Sequence, residues 1–290
     1  MKILLIGKHG QVAWELRRTL APLGDVVAVG RVDLNFSDVP AVRRFVAEVR
    51  PQVIVNAAAY TAVDKAETER ELCLQINATL PGVLAEEAKK LGALLVHYST
   101  DYVFDGTKQS PYVETDPTNP LGTYGASKLA GEQAIQSAGA DHLIFRLCWI
   151  YGARGQNFML TMQRLARERE KLRVVRDQIG CPTWSRMIAE ATALAIKQML
   201  ANPERSTYSG TYHLAANGFT SWHGFASHII GLMPDAERKC LEVEAITTAE
   251  YPTPAKRPAY SVLNCDKLEQ TFGLRLPDWE RSLRQVLDKP

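Results

Sequence analysis

Short unbroken apolar runs alternate along the chain with amphipathic stretches. Residues 2–6 (K-I-L-L-I), 25–29, 52–56, 94–99 and 142–146 are runs of the length and continuity that strands buried on both faces require. Segments at helical spacing follow them: 14–21; 40–50, with Asp38 as cap and Pro40 in the first turn; a segment opening at Val63, Asp64 and Glu67; and 124–132. Asp64 and Glu67 read as first-turn acids favoured by the dipole of their own helix. Between 106 and 122 the prolines and glycines predict a loop. Repeated strand–helix units, six or seven of them, predict an α/β protein with a Rossmann-like, doubly wound parallel sheet.

From Gly155 the texture changes, with longer loops and more prolines and aromatics. Helices are expected at 157–168 and 186–200, and short strands at 172–175, 212–215 and 243–246. This divides the chain into a dinucleotide-binding unit, 1–154, and a smaller C-terminal α/β lobe for substrate, 155–290, interwoven with the first. No repeat and no low-complexity segment occurs.

Composition narrows the function classes. With 46% hydrophobic residues among 290, the chain can bury a sizeable core. Its 34 basic and 32 acidic residues are well mixed, which gives no nucleic-acid footprint. The N-terminal apolar run stops at Gly7, too short for a signal peptide or a membrane span, so no membrane role and a cytoplasmic location are expected. Five cysteines (Cys73, Cys148, Cys181, Cys240 and Cys265) lack metal or disulfide spacing and read as reduced thiols, Cys148 as a small buried hydrophobe. The histidines show no ligand spacing either. No metal site and no histidine catalyst is expected.

Two local patterns carry chemistry. Gly7-x-x-Gly10-x-x-Ala13, between the first strand and a helix, is a turn that brings backbone N–H groups and a helix dipole onto a pyrophosphate. Tyr124 and Lys128 are four apart, so on a helix they share a face, about 5–6 Å apart at Cβ. An ammonium beside a phenol favours the phenolate, which yields a usable proton donor and acceptor. Thr100 sits where the fourth strand leaves the sheet, on the edge that faces the ligand crevice. The Ala57-Ala58-Ala59 run at the exit of the third strand lets a flat ring lie against backbone. Arg31, after the second strand, replaces the acid that favours NAD; it pairs with a 2′-phosphate or stacks on adenine.

Together Thr100, Tyr124, Lys128 and the glycine turn resemble the short-chain dehydrogenase/reductases, with Ala13 a mild departure from the extended members. Segments 56–67, 99–106, Tyr124 to Glu132, 177–183 and 251–258, with Ser261 and Leu263, resemble more closely the dTDP-4-dehydrorhamnose reductase family. That resemblance spans nearly the whole chain. It implies reduction of the 4-keto group of a dTDP-linked 6-deoxyhexose by NADPH, with NADH also admitted. Catalysis would fall to Thr100, which holds the carbonyl, Tyr124, which gives the proton, and Lys128, which holds ribose and tunes Tyr124. The cofactor set it implies is Gly7, Gly10, Gln11, Val12, Arg31, Asn35, Phe36, Ser37, Ala57, Ala58, Ala59, Asn77, Tyr124 and Lys128. For Asn77, support of the local break before Pro81 is the alternative.

The substrate set is Val63, Thr100, Asp101, Tyr102, Tyr124, Trp149 and Arg257. Tyr102 and Trp149 offer flat apolar faces or are core aromatics, and Arg257 suits a diphosphate. Gln178 and Thr183 offer polar contacts or stabilise their loop. The family's magnesium-bridged dimers are not expected to carry over as a metal site: Glu15 and Glu190 are surface acids suited to such a role, but Arg186, close after Thr183, puts a cation where those members carry an acid; a homodimer stays compatible. Two rivals are a 4,6-dehydratase or 4-epimerase of the same fold and a non-catalytic NADP-binding regulatory subunit. Tyr102 after Asp101, where a dehydratase needs a second acid, argues against the dehydratase.

Overall fold

The structure is a computed structural model that describes residues 1–288. Its centre is a six-stranded parallel sheet: β1 (Lys2–Ile6), β2 (Asp25–Val29), β3 (Val53–Asn56), β4 (Leu94–Thr100), β5 (His142–Leu147) and, far along the chain, Gly210–His213. The first strand pairs with both the second and the third, so chain direction across the sheet reverses there. Ligands of such sheets bind beyond the strand ends at that reversal.

The apolar runs explain the layers. Ile3 and Leu5 point to one face and Leu4 and Ile6 to the other, and all four are fully buried. The second face is covered by α2 (Val39–Val49) and α5 (Leu80–Leu91), through Val42, Val46, Leu84 and Ala88. Between them in sequence lie two short helices, α3 (Val63–Ala66) and α4 (Arg70–Leu74), and a π-turn at Gln75–Thr79. The expected cap of α2 forms, Asp38 Oδ1 accepting from Ala41 N at 2.9 Å. The first face is covered by α1 (Gln11–Thr19) and by α8 (Ser185–Ala201), which packs along α1. The segment carrying Tyr124 and Lys128 is α6 (Thr123–Ala138), packed on α5 and on the end of β4.

The second lobe holds α7 (Phe158–Glu168), α9 (Trp222–Gly231), α11 (Trp279–Leu287) and three two-stranded pairings. These strands are β6 (Ile150–Tyr151), β7 (Lys171–Val175), β8 (Ile179–Gly180), β9 (Thr183–Trp184), β11 (Thr220–Ser221) and β12 (Glu242–Ile246). They pair as β6 with β9, β7 with β12, and β8 with β11. Met159, Met162, Phe225, Ile229, Trp279 and Leu283 form its own core.

Beyond residue 154 the chain crosses back to the first unit. Helix α8 and strand Gly210–His213 (β10) return to the first unit, as does α10 (Asp266–Phe272), whose Leu268 and Phe272 join its core. The apolar surface of α1 and the open edge of β5 need covering, and only the distal chain supplies it. The loop before α6 is ordered around Asp105, which accepts from Thr107 N, Thr107 Oγ1, Tyr112 OH and Asn119 Nδ2. Among the described residues, no helix is long and apolar enough to cross a membrane.

Candidate functional site

The exits of β1, β2, β3 and β4 meet along one edge of the sheet. Gly7 sits there at φ +96°, and a Cβ on it would lie 2.6 Å from Ala58 N and 2.8 Å from the Ala57 carbonyl carbon. Only glycine allows the first and third strand exits to touch in this way. Gly10 N donates to Gly7 O at 2.9 Å, and Gly10 is the N-cap of α1 without any side-chain cap. The N–H groups of the first turn of α1 therefore face the turn unsatisfied by side chains, as an anion site requires. Ala13 is fully buried against the sheet, so the alanine in the third position is accommodated by packing.

Two expected cofactor contacts do other work. Gln11 reaches the loop after β6, accepting from Asn157 Nδ2 at 2.9 Å, and the Val12 side chain lies in the core. At the exit of β2, Arg31 is exposed and makes no hydrogen bond or ion pair among the described residues. The nearby acid, Asp33, is committed: it accepts from Gly30 N at 2.7 Å and pairs with Lys8 at 2.7 Å. The Lys8 hydrogen bond and the Gly30 N–H hold its carboxyl below the usual range. Phe36 is a core residue. Asn35 Oδ1 accepts from Ser37 N, and Ser37 O accepts from Gln75 Nε2, which fixes the turn into α2. Ala58 is buried, Ala57 half-buried and Ala59 exposed beside the glycine turn.

Helix α6 begins at Gly122 with no cap of its own. Glu67 supplies it from another segment: Thr123 N donates to Oε1 at 2.8 Å and Thr123 Oγ1 to Oε2 at 3.0 Å. The helix dipole that Glu67 serves is therefore that of α6, a correction to its reading as a first-turn acid of its own segment. Gly125 and Gly131 let α6 press close: a Cβ on either would fall 2.2 Å from Tyr102 O and 2.1 Å from Asn77 O, respectively. Asn77 is fully buried and spent on this framework. Its Oδ1 accepts from Tyr60 N at 2.8 Å, and its Nδ2 donates to Tyr60 O and Ser127 Oγ. The side chain sits in the π-turn before Pro81, so it supports the local break.

Tyr124 meets Thr100 at the exit of β4, while Lys128, one turn along α6, faces His97 on the same strand. Burial pushes the Tyr124 phenol well above its usual value, and a hydrogen bond with Thr100 offsets part of that. Lys128 is not what tunes it here: the ammonium position is 1% exposed and faces His97, with Nζ 3.1 Å from Nε2. Desolvation brings Lys128 down to about 8. The expectation that Lys128 lowers the phenol pKa in the free protein is thus corrected. Burial acts on both groups at once and favours a neutral tyrosine, which is the form of a proton donor.

Thr100 Oγ1 donates to Asp101 Oδ1 at 3.0 Å and accepts from Tyr102 N at 3.2 Å. Asp101 is buried, and desolvation raises it to about 6 despite hydrogen bonds from Ser261, Cys148 and Thr100. Cys148 is indeed a buried thiol, directed at Asp101 Oδ2 at 3.3 Å. Tyr102 meets Tyr124 edge-on, ring centres 5.7 Å apart. Both line a narrow cleft with Val63, Leu121 and residues Ala255, Lys256 and Pro258.

Arg257 borders that segment, tied to Asp64 Oδ2 at 2.9 Å, to Thr253 Oγ1 and to Ala255 O. Burial opposes the charge on Asp64, but Arg257 and Ala255 N leave its carboxyl below the usual range. Trp149, at φ +44°, is stacked on Trp222 at 3.5 Å and pressed on Gly180. It packs on the cluster of Val103, Phe104 and Cys148. Gln178 donates to Thr248 Oγ1 and Thr183 to Cys181 O, so both stabilise loops. Arg186 pairs with Glu190 at 2.9 Å, and no cluster of metal-ligand type occurs among the described residues.

The sequence reading missed His97, Asn56, Lys8 and the true partner of Glu67. A signal existed for the first two: each is the polar residue in an otherwise apolar run, and they are register partners on β3 and β4. Buried polar groups in central strands need each other.

The pattern of a known family, the RmlD substrate binding domain, matches residues 1–290. A dTDP-4-dehydrorhamnose reductase of Burkholderia thailandensis is 49% identical over 284 residues, covering 96% of this chain and 95% of the relative. That of Escherichia coli K12 is 47% identical over 299 residues, covering 100% and 98%. Among solved structures, a dTDP-4-dehydrorhamnose reductase of Clostridium acetobutylicum superposes with a TM-score of 0.92 at 39% identity, covering 99% of both chains. One from Bacillus anthracis in complex with NADP gives 0.89 at 36% identity, covering 98% of both. A Thermus thermophilus UDP-glucose 4-epimerase with NAD, 20% identical at a TM-score of 0.80, shares the fold alone.

Proposed function

Because the chain belongs to the RmlD substrate binding domain family, that of the dTDP-4-dehydrorhamnose reductases, we infer that it is an NADPH-dependent oxidoreductase of nucleotide-sugar biosynthesis. It reduces the 4-keto group of dTDP-4-dehydro-L-rhamnose to give dTDP-L-rhamnose. The carrying observation of the geometry is a buried Tyr124 hydrogen-bonded with Thr100 at the exit of β4, with Lys128 one turn along the same helix.

The residues present fit NADPH. The Gly7 cradle has no room for a Cβ, the first turn of α1 offers open N–H groups, and Arg31 is free while Asp33 is neutralised. Gly7, Gly10 and the N–H groups of Gln11 and Val12 would hold the pyrophosphate, Arg31 the 2′-phosphate, and Ala57 and Ala59 the rings. When bound, NADPH supplies the hydride for C4.

Tyr124 then gives its hydroxyl proton to the C4 oxygen as charge builds there, a contribution of about 10²–10⁴-fold. Thr100 orients that oxygen by turning its hydroxyl proton from Asp101, and Asp101 is free to take either protonation state near neutral pH. Lys128 holds ribose hydroxyls. Tyr102 and Val63 flank the sugar in the cleft, and Arg257, released from Asp64, meets the diphosphate. The C-terminal lobe forms the substrate side. A homodimer and a cytoplasmic location complete this reading.

The test is direct. Purified protein with the keto sugar nucleotide and NADPH should oxidise the cofactor with formation of dTDP-L-rhamnose. Absence of oxidation at millimolar substrate overturns the reading, and steady NADPH consumption separates it from a non-catalytic NADP-binding subunit.

A further inference from the structure

A chain of hydrogen bonds links β3, β4 and α6, and no step above uses it. Ala58 N donates to Asn56 Oδ1 at 3.2 Å, Asn56 Nδ2 meets His97 Nδ1 at 3.1 Å, and His97 Nε2 meets Lys128 Nζ at 3.1 Å. Asn56 and His97 are fully buried and Lys128 nearly so.

One end of this chain cannot be reversed, because a backbone N–H only donates. With its oxygen on Ala58 N–H, the Asn56 amide must offer its NH₂ to the ring. The ring then accepts at Nδ1, and a neutral imidazole that accepts at one nitrogen carries its proton on the other. Nε2–H therefore points at Lys128, and an ammonium has donors only. Turning Asn56 round would relieve that contact by setting its NH₂ against Ala58 N–H. With an ammonium at 128, one buried donor faces another in either arrangement. With an amine, every link has a donor and an acceptor.

We propose that His97 is a positioning residue for Lys128: its polarity, locked by Ala58 N–H through Asn56, disfavours the ammonium and loosens the lysine's proton in the ligand-free protein. The other groups around Lys128 do not reverse this. Glu132, one turn along α6, draws a proton toward the lysine, but it is already held by Arg146 of β5, at 2.7 Å from Nη2 and 3.0 Å from Nε. Cys73 of α4 acts in the same direction as Glu132, and Tyr124, one turn back, is neutral. Burial outweighs both and sets Lys128 near 8, while His97 is pushed well below its usual value and stays uncharged. On the reductase reading, on which only this consequence rests, ribose hydroxyls give Lys128 new acceptors, and it holds its proton more tightly as the cofactor binds.

Nuclear magnetic resonance on cofactor-free protein tests the proposal without catalysis. Ring ¹⁵N shifts of His97, assigned with His97→Gln, should report the Nε2–H tautomer. The ¹³Cε titration of Lys128, assigned with Lys128→Met, should have its midpoint at least one pH unit below those of the exposed lysines. Asn56→Asp, which accepts from both Ala58 N–H and the ring, should switch His97 to the Nδ1–H tautomer and raise the lysine midpoint by a unit or more. A wild-type Nδ1–H tautomer, or a Lys128 midpoint among the exposed lysines, overturns the proposal whether or not the variant folds. A folded Asn56→Asp that changes neither signal does so too. Expected apo signals that fail to move on adding NADPH would count against the cofactor role of Lys128 alone.

Discussion

Glu67 accepts both the backbone N–H and the hydroxyl of Thr123, so a residue from one segment starts the helix that carries Tyr124 one position later. A cap of this kind is worth about 0.5–2 kcal/mol. Glu67→Ala should lower stability by about 1 kcal/mol, and it should cut kcat more than NADPH affinity, because Tyr124 lies in the first turn of α6. Glu67→Gln should restore most of the loss. Urea denaturation and steady-state kinetics on the same preparations decide it; an unchanged kcat in Glu67→Ala would mean that α6 starts correctly without the cap.

Tyr124→Phe removes the proton donor and leaves the Tyr102 ring contact in place. The fold and NADPH binding should survive, and single-turnover reduction should fall by about 10²–10⁴-fold. Retention of more than half the wild-type rate with chemistry limiting would discard the assignment.

On the proposed reading, two basic residues at the exit of β2 should govern cofactor choice. Arg31→Ala should weaken NADPH by roughly tenfold to a hundredfold and NADH little, since charge-assisted hydrogen bonds contribute about 1.5–3 kcal/mol each. Lys8→Ala should act in the same sense by freeing the Asp33 carboxylate to repel a 2′-phosphate. Binding titrations with both cofactors test this. Equal losses for NADPH and NADH would show that Arg31 only stacks on adenine.

Asp101 makes a signed prediction for stability against pH. Its carboxyl titrates near 6 in the fold, against 3.8 for the ordinary group, chiefly through desolvation. The folded state thus binds the proton more tightly, and the resulting stabilisation is complete below about 4 and lost as pH rises through about 6. Two units correspond to about 3 kcal/mol as an upper figure. Relative to wild type, Asp101→Asn should therefore gain stability steadily between pH 4 and 7. Urea midpoints at pH 4, 5, 6 and 7 check this; parallel curves for the two proteins would place the Asp101 carboxyl at an ordinary value.

The strands that build the sheet were legible in the sequence because a strand buried on both faces must be continuously apolar, and Lys2–Ile6 and Leu94–Thr100 are so nearly throughout. The glycine turn, Thr100 at a strand end and the Tyr124–Lys128 spacing were legible for the same reason: each is fixed by local backbone geometry. The family followed from motifs spread over the whole chain. What the sequence hid was partnership at a distance. Asp64 and Glu67 are three apart on one segment, yet one holds Arg257 and the other starts α6. Asn77 reads equally as a ligand contact or a structural prop until Tyr60 and Ser127 are seen around it.

Local pattern thus determined the elements, the parallel sheet and the pairing of Tyr124 with Lys128 on one helix, since periodicity and turn chemistry depend on neighbours along the chain. Tertiary structure alone decided which charges are neutralised and which protons are held. Lys128 was expected to act on Tyr124, four residues away on its own helix, but its nearest polar group is His97 from another strand. Burial then dominates the titration of both Tyr124 and Lys128. Desolvation depends on every atom packed around a group, and a spacing of four residues carries no record of it.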